Sequence, residues 1–151
     1  MTDRVVAHQG AACWATLFTH AHYLPCLAVL LQSMRACQTR YPLVVMVTET
    51  VDARTRERLT RMGCVLRDVD AWRVPHADGS LAFERFQNVW TKLRAFELYE
   101  YERVVMIDSD MLMCHNMDEL FDLPLERGMI AAALACTCNP KQIPTYPAEW
   151  T

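Results

Sequence analysis

Arg103-Val-Val-Met-Ile-Asp-Ser-Asp-Met-Leu-Met113 is the stretch on which the reading of this chain turns. Val104 to Ile107 forms a continuous apolar run that leads straight into the carboxylates Asp108 and Asp110, one residue apart. A short unbroken apolar run reads as a fully buried strand of a parallel sheet. Open α/β sheets place their ligands outside the carboxyl ends of such strands. Two Asp at that edge form a paired oxygen site, which suits a hard divalent cation and the phosphates it carries.

Working outward, strands and helices alternate. Cys13–Thr19 reads as a first strand. Pro25 suits the first turn of a helix, whose apolar face runs from Leu27 to Met34 and ends near Ala36. Leu43–Thr48 is a second strand. The charged segment from Asp52 to Met62 is an exposed helix ended by Gly63, its Arg residues lying on a solvated face. Cys64–Val69 is a third strand, and 71–80 has loop composition. Phe86–Tyr101 predicts a helix with Val89, Trp90, Leu93, Phe96, Leu98 and Tyr99 on its apolar face. Arg103–Ile107 is then the fourth strand. Met117–Phe121 is one helical turn with Asn116 as its N-cap, and Met129–Ala135 is a fifth strand. This order implies right-handed βαβ units and a mostly parallel sheet. With 4 Gly in the chain and no Gly-rich phosphate loop after any strand, the pattern excludes a dinucleotide fingerprint and a Walker-type NTPase.

Composition sets the frame. A length of 151 residues allows one domain, and 52% apolar content is enough for a core. A net charge of -3 argues against a general nucleic-acid surface. No apolar run approaches the ~20 residues of a membrane span, and the N-terminal residues lack a signal-peptide core. The 7 Cys are scattered, several in apolar surroundings (Cys13, Cys26, Cys64, Cys136), which fits reduced, buried thiols of a cytoplasmic protein. Cys136-Thr-Cys138 has no second pair to complete a zinc site.

Thr91-Lys-Leu-Arg-Ala-Phe, the Asp-Ser-Asp stretch, and Asn116-Met-Asp-Glu-Leu-Phe-Asp together resemble glycosyltransferase family 8, that of glycogenin and galactinol synthase. Thr16-Leu-Phe-Thr-His-Ala-His-Tyr resembles its first strand and the following turn. The resemblance implies a Rossmann-like GT-A nucleotide-sugar-binding fold over 13–151, preceded by an N-terminal extension at 1–12. It implies a retaining hexosyltransferase using a UDP-sugar donor, with manganese or another divalent cation, and a carbohydrate, polyol or protein acceptor that the sequence does not name. Carried over by position, Asp108 and Asp110 would bind the metal, with Asp108 and the Ser109 backbone also facing the nucleotide. Leu17, Thr19 and Tyr23 would form the uracil wall, and Lys92 would reach the donor phosphate or sugar. His20 stands where relatives often carry Asn, and Arg85 is a further candidate donor contact.

Each residue also has a plainer reading. The Asp pair could cap a turn through Asx hydrogen bonds. Lys92 could be a solvated helix face, and Tyr23 a staple for the next helix. His22 and His115 read as surface residues. Family members continue into a second half that holds the acceptor region and a further metal-ligating His. The expectation is therefore a truncated domain with trace activity, a weakly held metal and an apolar strand edge prone to self-association. Two other readings compete: a non-catalytic nucleotide-sugar-binding fragment, and a haloacid-dehalogenase-type phosphatase using Asp108 and Asp110. In the latter fold the motif usually lies on the first strand and continues to Thr or Val, where this chain has Leu112.

Overall fold

The computed structural model describes residues 12–72, 89–126 and 128–133. Its strands are β1 (Ala12–Phe18), β2 (Leu43–Val47), β3 (Val65–Asp68) and β4 (Arg103–Met106), and its α-helices are α1 (Leu24–Ala36) and α2 (Ala53–Arg61). All pairings are parallel, in the order β3-β2-β1-β4. The fold is α/β with a parallel sheet, as the alternating pattern requires.

Period-2 alternation divides the sheet into two packed faces. Trp14 and Phe18 on β1 and Leu43, Val45 and Val47 on β2 face α1 and α2, where they meet Leu27, Leu30, Met34 and Leu59. Cys13 and Ala15 on β1 and Val44 and Met46 on β2 face the opposite side, against Leu98 and the flank of Ala95. Leu17 is half-buried in that second cluster. β1 and β2 are covered on both faces, so nearly every residue in them is apolar and buried.

The helix signals in the sequence act locally. Pro25 occupies the first turn of α1. Asp52 caps α2, accepting from the Thr55 amide at 2.9 Å and the Thr55 hydroxyl at 2.7 Å. Gly63 ends α2 with a φ of +88°, which a side chain rarely tolerates.

Expectation and structure differ in several places. β4 is half-buried along its length rather than fully buried, because among the described residues it is an edge strand paired only with β1. The predicted α-helix over Phe86–Tyr101 is a 3-10 helix at Val89–Glu97, with 86–88 outside the described residues. Its three-residue turn stacks Trp90, Leu93 and Phe96 into one stripe, with Tyr99 just past the helix end. That stripe points to solvent, with Tyr99 83% exposed, while Thr91 and Leu98 face inward. The expected fifth strand is not formed over 129–133. Met129 N–H closes a turn onto Glu126 O, and Ile130 is 70% exposed. Residues 134–135 lie outside the described residues. Cys26 is exposed, whereas Cys13 and Cys64 are buried and burial pushes their thiols up to about 12 and about 11. Cys136 and Cys138 lie outside the described residues.

One expected feature of α2 also changes. Arg61 pairs with Glu57 on the surface, as a solvated face would. Arg56 instead turns inward. Its guanidinium donates to Val51 O and Thr48 O, each at 2.8 Å, and to Asp68 at 2.5 Å. It thereby ties the segment after β2 to the end of β3.

Candidate functional site

The chain leaves β1 through α1 to reach β2 and β3 on one side. It then returns past β1 to form β4 on the other. The direction of the sheet therefore reverses between β1 and β4, and the crevice beyond their carboxyl ends is the ligand-binding position of such sheets. Thr19 and His20 follow β1, and Asp108 to Asp110 follow β4. The two segments are held in register by the Ala15–Met106 pair and by Ile107 N–H donating to Ala15 O at 2.9 Å.

On the β4 side, Met111 N–H donates to Asp108 O at 3.1 Å and closes a turn around Ser109 and Asp110. Asp108 and Ser109 are half-buried, and Asp110 is exposed. The carboxylates do not cap that turn with their side chains, which the Asx reading would require. Lys92, from the 3-10 helix, donates Nζ to Asp108 Oδ1 at 2.6 Å. Its side chain and that of Asp108 are 38% and 40% exposed, so the pair lies in the crevice wall within reach of solvent. Lys92 is not a free solvated side chain.

On the β1 side, the Thr19 hydroxyl lies 2.8 Å from His20 Nδ1, and Thr19 O accepts from the Thr50 hydroxyl at 2.6 Å. Thr19 is nearly buried and His20 exposed. Tyr23 sits just before α1, is 39% exposed, and has its ring centroid 4.1 Å from that of His22. The His20 and His22 rings are 5.4 Å apart. This is a partly exposed cluster of three rings in which His22 packs against Tyr23, and Tyr23 is not among the residues of the core beneath α1. Leu17 points into the layer beneath the 3-10 helix. Arg85 lies outside the described residues.

The structure thus brings together Lys92 with Asp108, and Thr19 with His20 and its aromatic neighbours. The donor chemistry at Asp108 and Asp110 fits a hard divalent cation as a partial set of oxygen ligands. Among the described residues no cluster of three or more His, Cys, Asp or Glu completes it. A separate cavity of about 340 Å³ opens beyond β2 and β3, lined by Glu49, Arg56, Asp68, Asp70, Arg94 and Glu97 among others. Its Arg56 and Arg94 are already paired with Asp68 and Glu97.

Sequence reasoning missed a second polar cluster. The Asp118 side chain is nearly buried. Its carboxylate accepts from the Thr39 hydroxyl at 2.5 Å and from Arg40 N–H at 2.9 Å. Trp14 Nε1 donates in turn to Thr39 Oγ1 at 2.9 Å. Burial raises the Asp118 pKa, but hydrogen bonds from Thr39, Arg40 and Asn116 outweigh that and leave it below the usual carboxylate value. Asn116 is not the residue next to the helical turn at Asp118–Asp122, since Met117 intervenes. Its Oδ1 still accepts the Asp118 N–H at 2.8 Å. The one available signal was an Asp placed inside the apolar turn Met117-Asp-Glu-Leu-Phe; its partners lie almost 80 residues earlier.

The family model described as Glycosyl transferase family 8 matches residues 15–146. The chain belongs to that family. It is 30% identical over 139 residues to galactinol synthase 5 of Arabidopsis thaliana, covering 91% of this chain and 41% of that protein. It is 34% identical over 110 residues to galactinol synthase 2 of Ajuga reptans, covering 73% of this chain and 37% of that protein. A galactinol synthase 2 of Solanum lycopersicum is 32% identical over 110 residues, covering 73% of this chain and 32% of that protein. The chain spans less than half the length of these relatives. The match agrees with the parallel α/β sheet, and a family 8 assignment leaves the phosphatase reading without support. Among the described residues no helix is long and apolar enough to cross a membrane.

Proposed function

We propose that residues 13–151 carry the donor- and metal-binding part of a retaining hexosyltransferase that takes a UDP-sugar. The observation that carries this reading is the Lys92–Asp108 pair after β4 at the reversal point of a family 8 chain, where the partly exposed Tyr23 follows the neighbouring strand β1. A flat pyrimidine can stack on an aromatic ring, because any base offers a π-face. Thr19 and its paired His20 supply polar groups beside that ring, and Leu17 an apolar floor. Asp108 and Asp110 would hold manganese or another divalent cation, with Ser109 turning the backbone between them. When bound, that cation supplies Lewis-acid neutralisation of charge on a diphosphate leaving group.

Lys92 has two roles in this scheme. In the free protein its charge offsets Asp108. With donor bound, its ammonium is a point charge within reach of the phosphates. A crevice that combines carboxylates with one cation favours a metal–diphosphate over a bare anion, since Asp108 and Asp110 repel the latter. The acceptor class, a carbohydrate, polyol or protein, is left open by these residues, and the same site serves the non-catalytic reading in which donor is bound and not transferred.

Calorimetry of UDP binding with and without manganese tests the reading. UDP should bind about tenfold or more tightly with manganese, ADP should compete poorly, and Asp110→Asn should remove most of the gain. Equal manganese-dependent affinity in wild type and Asp110→Asn would overturn the site assignment.

A further inference from the structure

The turn that carries Asp110 is not held by secondary structure on its far side. Beyond β4 the chain runs through 107–117 without helix or strand, yet Met113 is 3% exposed. Its position comes from the last turns of α1. Met113 N–H donates to Ser33 Oγ at 3.0 Å, and Ser33 Oγ donates to Leu30 O at 2.7 Å. Met113 O accepts from Cys37 Sγ at 3.4 Å. Three residues on, Asn116 Nδ2 donates to Cys37 O at 3.1 Å and Gln38 O at 3.2 Å. Gln38 is the one non-glycine described residue with a left-handed φ, at 56°, which turns successive backbone groups of 37–40 outward. Asp118 then takes Thr39 and the Arg40 amide from the same arc.

α1 therefore starts at the crevice edge and runs back along the parallel sheet, and its later turns fasten the segment that leaves Asp110. Tyr23 stands at its start, and the Asp108–Asp118 segment is fastened to its end. A loop fixed at 113, 116 and 118 gives the exposed Asp110 a defined place, which a ligand set needs for tight binding.

We propose that Ser33, Asn116 and Asp118 are positioning residues for the Asp108–Asp110 turn, acting through the end of α1. The consequence for the metal-assisted step rests on the donor reading above; the fastening itself does not. Asn116 is exposed and its truncation leaves the core intact, so Asn116→Ala remains informative if Ser33→Ala fails to fold.

Hydrogen exchange on the ligand-free chain tests the fastening. In Asn116→Ala and in Ser33→Ala, amides of 108–114 should exchange about tenfold faster while those of 43–47 keep their wild-type rate. UDP calorimetry then tests the consequence: the gain in UDP affinity from manganese should fall about tenfold, with metal-free UDP affinity unchanged. A purely stabilising role would not alter that gain. Unchanged exchange at 108–114, or equal acceleration at 43–47, overturns the proposal. Faster exchange at 108–114 in a protein whose wild type shows no manganese-dependent gain upholds the fastening and overturns the donor reading instead.

Discussion

β2 and β4 are both short, apolar, parallel partners of β1, yet they live in different surroundings. Every residue of β2 is buried; every residue of β4 is half-buried. β2 lies between two strands under α1 and α2, whereas β4 is an edge strand among the described residues, beside the 3-10 helix whose stripe of Trp90, Leu93 and Phe96 faces solvent. The division separates scaffold from site. The groups that hold the fold are packed on all sides. The groups of the candidate site, Lys92, Asp108 and Asp110, lie on the loosely covered flank, half-buried or exposed. Regions of low burial are where binding segments are ordinarily drawn from.

The largest effect expected from this contrast comes from matched truncations on the two strands. Val45 is 0% exposed, so Val45→Ala removes packing on every side and should cost about 2–3 kcal/mol in urea unfolding. Val104→Ala on β4 should cost about half that or less. Equal losses would dissolve the distinction between the two strands.

Asp118→Asn comes next, at about 1–2 kcal/mol, because an amide nitrogen would face the Arg40 N–H that the carboxylate accepts. Its pH dependence has a definite sign. The folded pKa lies below the unfolded one, so the contribution is present above the ordinary carboxylate value. It is lost as pH falls through the lowered folded value. The stability gap between wild type and Asp118→Asn should therefore be full at pH 7 and close below about pH 4. A gap that persists at pH 2 would mean that the cluster works through shape alone.

The smallest effect belongs to the exposed stripe. Phe96 is 62% exposed, and Phe96→Ser should change stability by no more than about 0.5 kcal/mol in the same unfolding measurement. A loss as large as that of Val45→Ala would show that the stripe is covered in solution, and would place the 3-10 helix with the scaffold.

Much of the fold was legible because its signals are local. Unbroken apolar runs at Leu43–Val47 and Val104–Ile107, Pro25 at a helix start, Asp52 as a cap and Gly63 as a stop each act within a few residues. The site was partly legible for the same reason: carboxylates at a strand end and a Lys-bearing helix beside them can be read from spacing. The face of the 90–99 segment was not. Residues three apart share one side only in a 3-10 helix and drift round an α-helix, and which side meets the sheet depends on what lies above it. The expected fifth strand was misread over 129–133, where the chain turns at Glu126–Met129 instead of pairing with a strand; an apolar run alone does not make a strand without a paired edge.

The sequence alone determined the alternation of elements, the parallel sheet, the family, and the carboxylates at the end of β4. Only the tertiary structure decided that β4 pairs with β1, that Lys92 meets Asp108, and that Ser33, Thr39 and Arg40 grip the segment from Met113 to Asp118. Periodicity and capping are set by neighbours along the chain, whereas these contacts join residues up to 80 apart, and only chain closure brings such residues together.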